Sequence, residues 1–438
     1  MQENYPRHVL RAFEGFRDCG IIRHGAMRIK CRHCDHNKLI ALSCKRRGFC
    51  TSCAQKFMLE TSRHLLDNIL PEATYRQIVV TLPFTIRLIT ATNSEILSRI
   101  NQIITRAILR NLKSKALQKG LRNPAVGCIN FIQKFGGQLN ANPHWHCLVI
   151  EKAFEENANS ESVQGFNLPP MSETDLAEIL QEIIAYVAKY FRKAGYADHA
   201  DQMVKAPPMD SIFEKHPPLP EDLIKSVLLP KDHELWTDDH ASMSQNPPHR
   251  GRLCLGSGGF TIHGATKVNP MDRPALERLV NYMGRPALSA KSVSLAGDTV
   301  TYQLKRPLKS GATSIKMPLD RFIRRLASLI PLPKKHLVRH HGIFARAHPL
   351  RPKIIKNPGV LKTFTGKLPN PETGRKLVAN TSWADLLRRS FKIDISICSD
   401  CGGPMEVMAV IYDGFEIDRF NSWLTQRVTG PPTAPSPA

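Results

Sequence analysis

The stretch Asn142-Pro143-His144-Trp145-His146-Cys147-Leu148-Val149 decides how this chain folds and where its chemistry lies. Its apolar run predicts a buried strand over residues 143–150, preceded by a turn at 136–137. Alternate side chains of a strand point to one face, so His144 and His146 project together. Neutral imidazole is a common metal ligand, and the pair predicts half of a site for a divalent cation. Packed, hydrogen-bonded histidines are the alternative interpretation.

The segments around the histidine strand predict an antiparallel sheet with flanking helices. Their apolar spacing predicts strands over 75–84, 127–135 and 259–264, a two-stranded ribbon over 299–317, and helices over 57–70, 94–118, 172–194, 273–283 and 319–330. Residues 205–250 are rich in proline and mixed charge, which predicts an insertion or long loop. The fold class expected from this pattern is α+β.

The charge of the chain points to a polyanionic partner. Its 438 residues contain 61 Lys and Arg against 38 Asp and Glu, a formal net charge of +23. Nucleic acid is the first candidate partner and an anionic membrane surface the second. Between Arg321 and Asn370 no acidic residue occurs, which favours phosphate contact over a merely solvated tail. The chain has neither an apolar run long enough to span a bilayer nor an N-terminal signal core, so we expect a cytoplasmic protein without membrane contact.

Cysteine spacing predicts a structural zinc site near the N-terminus. Two Cys-x-x-Cys pairs can close a tetrahedron around one ion: Cys31 with Cys34 and Cys50 with Cys53. Cys44 is an alternative member of this quartet, Cys19 and His33 are weaker ones, and free buried thiols are the alternative to metal. The pair Cys398 and Cys401 has no obvious partner pair and by itself supplies half of a zinc site.

Several motifs, taken in order, resemble one known family. They are the cysteine module with Cys-Lys-Arg-Arg-Gly-Phe-Cys at 44–50, Leu-Pro-Phe at 82–84, the histidine stretch, Asn-Tyr-Met-Gly-Arg-Pro-Ala-Leu at 281–288, and His-Leu-Val-Arg-His-His-Gly-Ile-Phe-Ala at 336–345. Over about residues 10 to 350 the chain resembles transposases of the insertion-sequence-91 and common-region (ISCR) group. Those are HUH single-strand endonucleases that move DNA elements by a rolling-circle route.

The resemblance implies roles for matching residues. His144 and His146 match the paired metal ligands, Tyr282 matches the nucleophilic tyrosine, and Cys31, Cys34, Cys50 and Cys53 match the zinc module. The expected enzyme is a transposase that cuts and rejoins single-stranded element ends through a 5′-phosphotyrosine, with Mg²⁺ or Mn²⁺. The two-tyrosine branch carries Tyr-x3-Tyr, but Arg278 and Pro286 stand at those positions, so the chain looks like the single-tyrosine branch. Tyr186 and Tyr190 form a rival pair that more often packs as an aromatic stripe.

Further residues complete the expected site. His263 is the candidate third metal ligand, with Gln138 and Asn140 as alternatives and a buried structural histidine as the other interpretation. The candidates for DNA contact are Lys45, Arg46, Arg47, Arg285 and Arg339. His340 and His341 are candidates for contacting phosphate or positioning the leaving group, and a solvated basic loop is the alternative interpretation.

The expected domains are three. They are a zinc-binding, DNA-recognition module over 1–70, an HUH-type tyrosine endonuclease core over 71–330, and a basic C-terminal region over 331–438 that carries the last cysteine pair. The alternative functions are a non-catalytic zinc-ribbon nucleic-acid-binding protein and a rolling-circle replication initiator or relaxase. A homo-oligomer is left open.

Overall fold

The computed structural model describes residues 5–45, 48–157, 162–205, 253–308, 310–333, 335–355 and 397–429. The chain divides into two compact units. The sheet unit comprises Met1–Val9 and Thr61–Gly359, and the cysteine unit comprises Leu10–Glu60 and Val360–Ala438.

Several helices of the described residues begin at a capping side chain. The helices are α1 (Arg7–Asp18), α2 (Thr51–Asn68), α3 (Phe84–Thr92), α4 (Ser94–Gln118), α5 (Glu173–Lys193), α6 (Ala197–Lys205), α7 (Arg273–Met283), α8 (Leu319–Leu329), α9 (Arg351–Ile354) and α10 (Gly414–Thr429). The Asn93 side chain caps α4 by accepting from two backbone N–H groups. Ser172 and Asp175 form the capping box that the sequence predicts for α5. In the described part of the chain, no helix is both long and apolar enough to cross a membrane.

The strands of the described residues fall into four sheets. They are β1 (Ala26–Cys31), β2 (Asn37–Ala41), β3 (Tyr75–Thr81), β4 (Gly127–Phe135), β5 (Ala141–Ile150), β6 (Lys152–Glu156), β7 (Val163–Asn167), β8 (Cys254–Ser257), β9 (Phe260–His263), β10 (Lys267–Val268), β11 (Val293–Ala296), β12 (Thr299–Gln303), β13 (Ser314–Pro318), β14 (Val338–Gly342) and β15 (Met405–Ile411). All the strand pairs are antiparallel. The mixture of helices and antiparallel sheets expected from the sequence is confirmed.

The large sheet of the sheet unit runs in the order β14-β4-β5-β3-β9-β8, with β10 paired to β3. The histidine strand β5 therefore lies inside the sheet, between β4 and β3. Both faces of these strands are covered, which explains why β3, β4 and β5 read as nearly continuous apolar runs. One face carries Trp145 and Cys147 and packs with residues of α3, α4 and α5. The other face carries Leu148 and Ile150 and packs with residues of α7.

The cysteine unit has a sheet of its own, in the order β15-β1-β2. Residues of β15 and α10 near the C-terminus therefore share a fold with residues near the N-terminus. Ala26, Leu39 and Ile417 form the small buried core of this unit. Because the core combines side chains from both ends of the sequence, neither end supplies it alone.

The structure differs from the sequence-based boundaries in several places. The module expected over 1–70 is shorter, because Met1–Val9 and the residues from Thr61 onward belong to the sheet unit. The boundary expected at residue 330 leaves out β14, which pairs with β4 and belongs to the large sheet. The region expected over 331–438 is divided, because β15 and α10 lie in the cysteine unit. The ribbon expected over 299–317 has a further strand, β11, which pairs with β12. The predicted insertion over 205–250 lies almost wholly outside the described residues, as does the basic run after residue 355.

A buried ion pair joins β3 to the end of β5. Arg76 and Glu151 pair with side chains only 4% and 5% exposed, and Arg76 Nη1 also donates to the Gly264 carbonyl oxygen at 2.7 Å. By contrast, Arg192 and Asp201 pair at the surface, each 49% exposed. Removing one partner of a buried pair leaves an uncompensated charge, whereas a surface pair contributes little to stability.

We expect Glu151→Ala to lower the free energy of unfolding by about 3–5 kcal/mol, because the Arg76 guanidinium then stays buried without its counter-charge. The matched variant Asp201→Ala should cost less than about 1 kcal/mol. Urea unfolding followed by far-ultraviolet circular dichroism measures both losses. Equal losses in the two variants would contradict the assignment of Arg76 and Glu151 as a stabilising buried pair.

Candidate metal and tyrosine site

The register of the large sheet places both histidines on one face. His146 lies opposite Val79 of β3 and Phe131 of β4, and His144 lies opposite Thr81 and Gln133. The two imidazole ring centroids are 4.9 Å apart. The expectation that His144 and His146 project together from one strand therefore matches the structure.

Both imidazoles are held neutral. Burial lowers the pKa of His144, the Arg285 and Arg87 charges add to this, and the hydrogen bond to Asn142 opposes it; together they bring the pKa to about 4. Burial likewise lowers the pKa of His146 to about 3, with contributions from His144 and Arg285. A neutral imidazole keeps a lone pair for a metal ion, so protons do not compete for these two side chains near neutral pH.

Hydrogen bonds orient the two rings differently. His144 Nδ1 donates to the Asn142 carbonyl oxygen at 2.8 Å, which leaves the Nε2 lone pair free. His146 Nδ1 lies 2.7 Å from the Gln77 side-chain amide. His146 Nε2 is buried and has no hydrogen-bond partner among the described residues. As placed, the Gln77 amide nitrogen donates to Nδ1. A 180° flip of this amide lets its oxygen accept from Nδ1–H instead, which leaves on Nε2 the lone pair that a metal ligand needs.

Tyr282 approaches the histidines from helix α7. Asp272 caps this helix by accepting from the Ala275 N–H at 2.9 Å, and the helix ends at Gly284. Its apolar residues pack on the same face of the sheet as the histidines; they are Leu276, Leu279, Val280 and Met283. The ring centroids of His146 and Tyr282 are 5.7 Å apart, edge to face, and Tyr282 is 46% exposed. A substrate can therefore reach the phenol from solvent, beside the half-buried His144 and the buried His146.

Arg285 adds a positive charge to the same place. Its guanidinium carbon lies 4.6 Å from the centroid of the Tyr282 ring, and its charge lowers the pKa of both histidines. Arg285 Nε is buried and has no hydrogen-bond partner among the described residues. Planar guanidinium groups bind phosphate oxygens in pairs, so Arg285 is suited to an anion beside the phenol.

His263, the expected third ligand, lies on the same face but farther away. His263 belongs to β9 and lies opposite Val79 of β3, so β3 separates it from β5. Two strand spacings correspond to about 10 Å between the backbones. No trio of His, Cys, Asp or Glu ligand atoms within 4.8 Å of one another includes His144 or His146 in the described residues. The structure therefore does not bring the three histidines together. The alternatives Gln138 and Asn140 lie between β4 and β5, in the turn.

The rival tyrosines lie on the opposite side of the sheet. Tyr186 and Tyr190 belong to α5, whose apolar residues pack on the Trp145 face. Tyr190 packs against that core, and Tyr186 lies 6.0 Å below the Arg110 guanidinium. Neither belongs to the face that carries His144 and His146.

The candidates for DNA contact differ in how the structure holds them. Arg339 is engaged inside the sheet unit, since Nη2 donates to Ser98 Oγ at 3.0 Å and Nε to the His336 carbonyl oxygen at 3.1 Å. Lys45 is exposed and has a positive φ of 51°. Arg46 and Arg47 lie outside the described residues.

The four cysteines expected to share one zinc ion are separated into two clusters. Cys50 and Cys53 lie with Cys19 and Cys44, whereas Cys31 and Cys34 lie with Cys398 and Cys401. In each cluster the sulfur atoms lie within 4.8 Å of one another. The physical reason is strand pairing: β1 ends at Cys31 beside β15, so it carries Cys31 towards the C-terminal pair. The expected single quartet is thus replaced by two.

Sequence reasoning missed two glutamines and one cysteine pairing. Gln77 and Gln133 lie in largely apolar strands. The one sequence feature that could have marked them as site residues is an amide side chain within such an apolar run. Gln133 Nε2 donates to the Met283 carbonyl oxygen at 2.7 Å, which fixes the end of α7, and its Oε1 is buried without a partner in the described structure. Cys398 is too distant in sequence for spacing to predict its neighbours.

Two family models match the chain. The model described as "Putative transposase" matches residues 127–351, just over half of the chain, and the model described as "Transposase zinc-binding domain" matches residues 1–82. The first match covers His144, His146 and Tyr282, and together the two define a transposase with a zinc-binding module, which implies binding to DNA. The chain belongs to the insertion-sequence-91 family of transposases. Searches of curated proteins and of solved structures each return no match.

His340 and His341 lie on β14 and pack within the sheet unit. His341 Nε2 is 3.4 Å from the Asn101 amide nitrogen. Burial, with smaller contributions from the charges of Arg351, His64 and His341, lowers the pKa of His340 to about 4. Burial lowers the pKa of His341 to about 4 as well, with the Arg339 charge contributing. Both are neutral in the folded protein at neutral pH.

These depressed pKa values predict a loss of stability in acid. Below about pH 6.5 the unfolded chain binds protons that the buried His340 and His341 do not, so stability falls as the pH drops towards about 4 and is unaffected by them above 6.5. We expect His340→Gln with His341→Gln to reduce the fall in melting temperature across this window. His336→Gln, at an exposed side chain, is the control and should leave the profile unchanged. An identical acid profile in the double variant and the parent would refute this source of acid sensitivity.

Proposed function

We propose that this transposase cuts and rejoins single-stranded DNA, with Tyr282 as the nucleophile and a divalent cation held by His144 and His146. The observation that carries the proposal is the 5.7 Å approach of the Tyr282 and His146 rings on one face of the sheet. The proposal makes the chain an HUH-type endonuclease that moves its element by a rolling-circle route. The formal net charge of +23 supports a nucleic-acid substrate.

The histidine pair fits a divalent cation. Both rings are neutral, and the buried His146 Nε2 has no partner in the described residues, which is costly for a polar atom unless a ligand occupies it. His144 Nε2 is the free nitrogen of the other ring. We propose Mg²⁺ or Mn²⁺ as the cation, which would polarise a phosphate oxygen and offset charge that develops on it.

Gln133 is the protein oxygen that we propose as a further ligand, in place of His263. It stands opposite His144 in the register of β4 and β5, where facing side chains are about 5 Å apart. Its Oε1 is buried and unpartnered within the described structure, while its Nε2 is fixed by the Met283 carbonyl oxygen. Hard divalent cations favour oxygen ligands, and the amide supplies one without adding charge.

Tyr282 is placed to attack a phosphodiester beside these groups. Its phenolic oxygen forms a bond to phosphorus, the bond from phosphorus to the 3′ oxygen breaks, and the phenol loses its proton as the leaving 3′ oxygen gains one. The products are a 5′-phosphotyrosine and a free 3′ hydroxyl, and the reverse attack rejoins strands. Arg285, 4.6 Å from the Tyr282 ring, would bind the non-bridging oxygens of the same phosphate.

A first structural zinc site is proposed at Cys19, Cys44, Cys50 and Cys53. The Sγ of Cys19 lies 3.6 Å from those of Cys53 and Cys50, and the Sγ of Cys44 lies 3.4 Å from that of Cys53. Cys53 is in the first turn of α2, where the helix dipole stabilises thiolates. Four thiolates leave no open position, so the ion stabilises the module without taking part in catalysis. The exposed Lys45 in the same module is a candidate for phosphate contact.

We expect Tyr282→Phe to abolish covalent attachment of the protein to labelled single-stranded oligonucleotides in the presence of Mn²⁺. The nucleophilic oxygen is then missing, and strand cleavage should fall by at least about a thousandfold. The oligonucleotides tile the DNA that flanks the gene, and the adduct is read as a labelled protein band. Tyr186→Phe, an exposed tyrosine on the opposite side of the sheet, is the matched control and should retain the adduct.

Two outcomes would overturn the proposal. An adduct that persists in Tyr282→Phe and maps to Tyr186 or Tyr190 would move the nucleophile to α5. Tight binding of the oligonucleotides by the parent protein without any adduct or cleavage would favour a non-catalytic zinc-ribbon protein.

A further inference from the structure

The C-terminal cysteine pair meets the N-terminal pair within the cysteine unit. Strand β15 pairs antiparallel with β1, and the register places Met405 opposite Cys31. The loop that precedes β15 carries Cys398 and Cys401, and the loop that follows β1 carries Cys34. The two Cys-x-x-Cys turns therefore face each other at the same end of this sheet.

The four sulfur atoms are spaced as zinc requires. The Sγ atoms of Cys31 and Cys401 are 3.4 Å apart, those of Cys34 and Cys398 are 3.6 Å apart, and all four lie within 4.8 Å of one another. In a tetrahedral site with Zn–S distances of about 2.3 Å, the sulfur atoms are separated by about 3.8 Å. A disulfide would need about 2.05 Å, so these contacts are those of free thiols.

Backbone N–H groups point at every sulfur of the cluster. His33 N lies 3.3 Å from Cys31 Sγ and Asp400 N lies 3.4 Å from Cys398 Sγ. Cys34 and Cys401 receive the same kind of bond from the residues two positions further along, His36 and Gly403. Such N–H donors stabilise thiolates, so each turn is built to present two anionic sulfurs.

The two turns also match in their backbone. Cys31 N donates to the His36 carbonyl oxygen at 2.8 Å, and Cys398 N donates to the Gly403 carbonyl oxygen at 2.7 Å, which is the same spacing in each turn. A Cβ at position 403 would lie 2.8 Å from the His33 ring, so Gly403 lets the turns approach closely without displacing that ring. A hydrogen bond of 2.7 Å between His36 Nδ1 and Asp400 Oδ2 also joins the two turns.

We propose that Cys31, Cys34, Cys398 and Cys401 hold a second structural zinc ion, which joins the two ends of the chain in one module. The ion would add a second link between the two ends of the chain, besides the pairing of β1 with β15. The small core is a further link, because the fully buried Ile417 packs with Ala26 and Leu39. The zinc-binding module of this transposase therefore extends beyond the N-terminal residues and includes 397–429. Its ligands are independent of the tyrosine chemistry proposed above.

Zinc content measured on the full chain tests the second site. Purified protein should contain about two zinc ions per chain, because each cluster supplies four thiolates. Cys398→Ser with Cys401→Ser should contain about one, and Cys50→Ser with Cys53→Ser should also contain about one. Cys254→Ser is the matched control, since Cys254 is a half-buried cysteine of β8 outside both clusters, and it should keep both ions.

Combined variants show which cysteines share an ion. Adding Cys31→Ser and Cys34→Ser to the C-terminal double variant should remove no further zinc. Adding Cys50→Ser and Cys53→Ser to it should remove the remaining ion. Cobalt substitution gives a second readout, because thiolate-bound Co²⁺ absorbs visible light. The absorbance of the cobalt-substituted protein should fall by about half in each double variant that lacks one of the two sites.

The proposal fails if the parent protein holds a single zinc ion, or if Cys398→Ser with Cys401→Ser retains the full zinc content. A loss of both ions in that variant would also overturn it, unless circular dichroism shows that the variant is unfolded. In that case the variant Cys401→His is measured, because histidine keeps the number of zinc ligands at four. A folded Cys401→His protein with two zinc ions supports the second site. A folded Cys401→His protein with one zinc ion refutes the second site.

Discussion

The alternation of side chains along β5, fixed by its pairing with β3 and β4, is the constraint on which the site depends. A shift of one residue in that register would turn both histidines to the other face and Trp145 into their place. The register is held because each face has its own apolar partner, with α4 and α5 on the Trp145 side and α7 on the histidine side. Packing of α7 on the sheet then decides where Tyr282 lies, so the core and the site are set by the same contacts.

Electrostatics and burial act together at this site. Burial keeps His144 and His146 neutral, and Arg285 lowers their pKa values further while it lies beside the Tyr282 ring. A cation on the histidines and a guanidinium beside the phenol would both attract one phosphate. Catalysis of the proposed kind would therefore depend more on fixed charges around the phosphate than on proton transfer by the histidines. The net charge of +23 extends the same attraction to the whole DNA strand.

Local patterns in the sequence predicted the central part of the fold. Features that depend on pairing between distant segments of the chain could not be predicted in this way. The two-residue period of His144 and His146 and the helical spacing before Tyr282 are local signals, and the structure brings these residues together. The cysteine grouping was wrong because the nearest pairs in sequence were joined, whereas pairing of β1 with β15 brings Cys398 to Cys31 from far along the chain. Gln77 and Gln133 were missed because a single amide in an apolar strand carries no period.

Pulsed electron paramagnetic resonance of Mn²⁺ bound to the protein tests the central claim most directly. If the register of β5 builds a metal site, the spectrum will show coupling to nitrogens of two imidazoles in the parent protein. Each of His144→Ala and His146→Ala will then lose one of them, while His263→Ala will keep both. A Mn²⁺ spectrum without imidazole coupling, or one that neither alanine variant changes, would contradict the account.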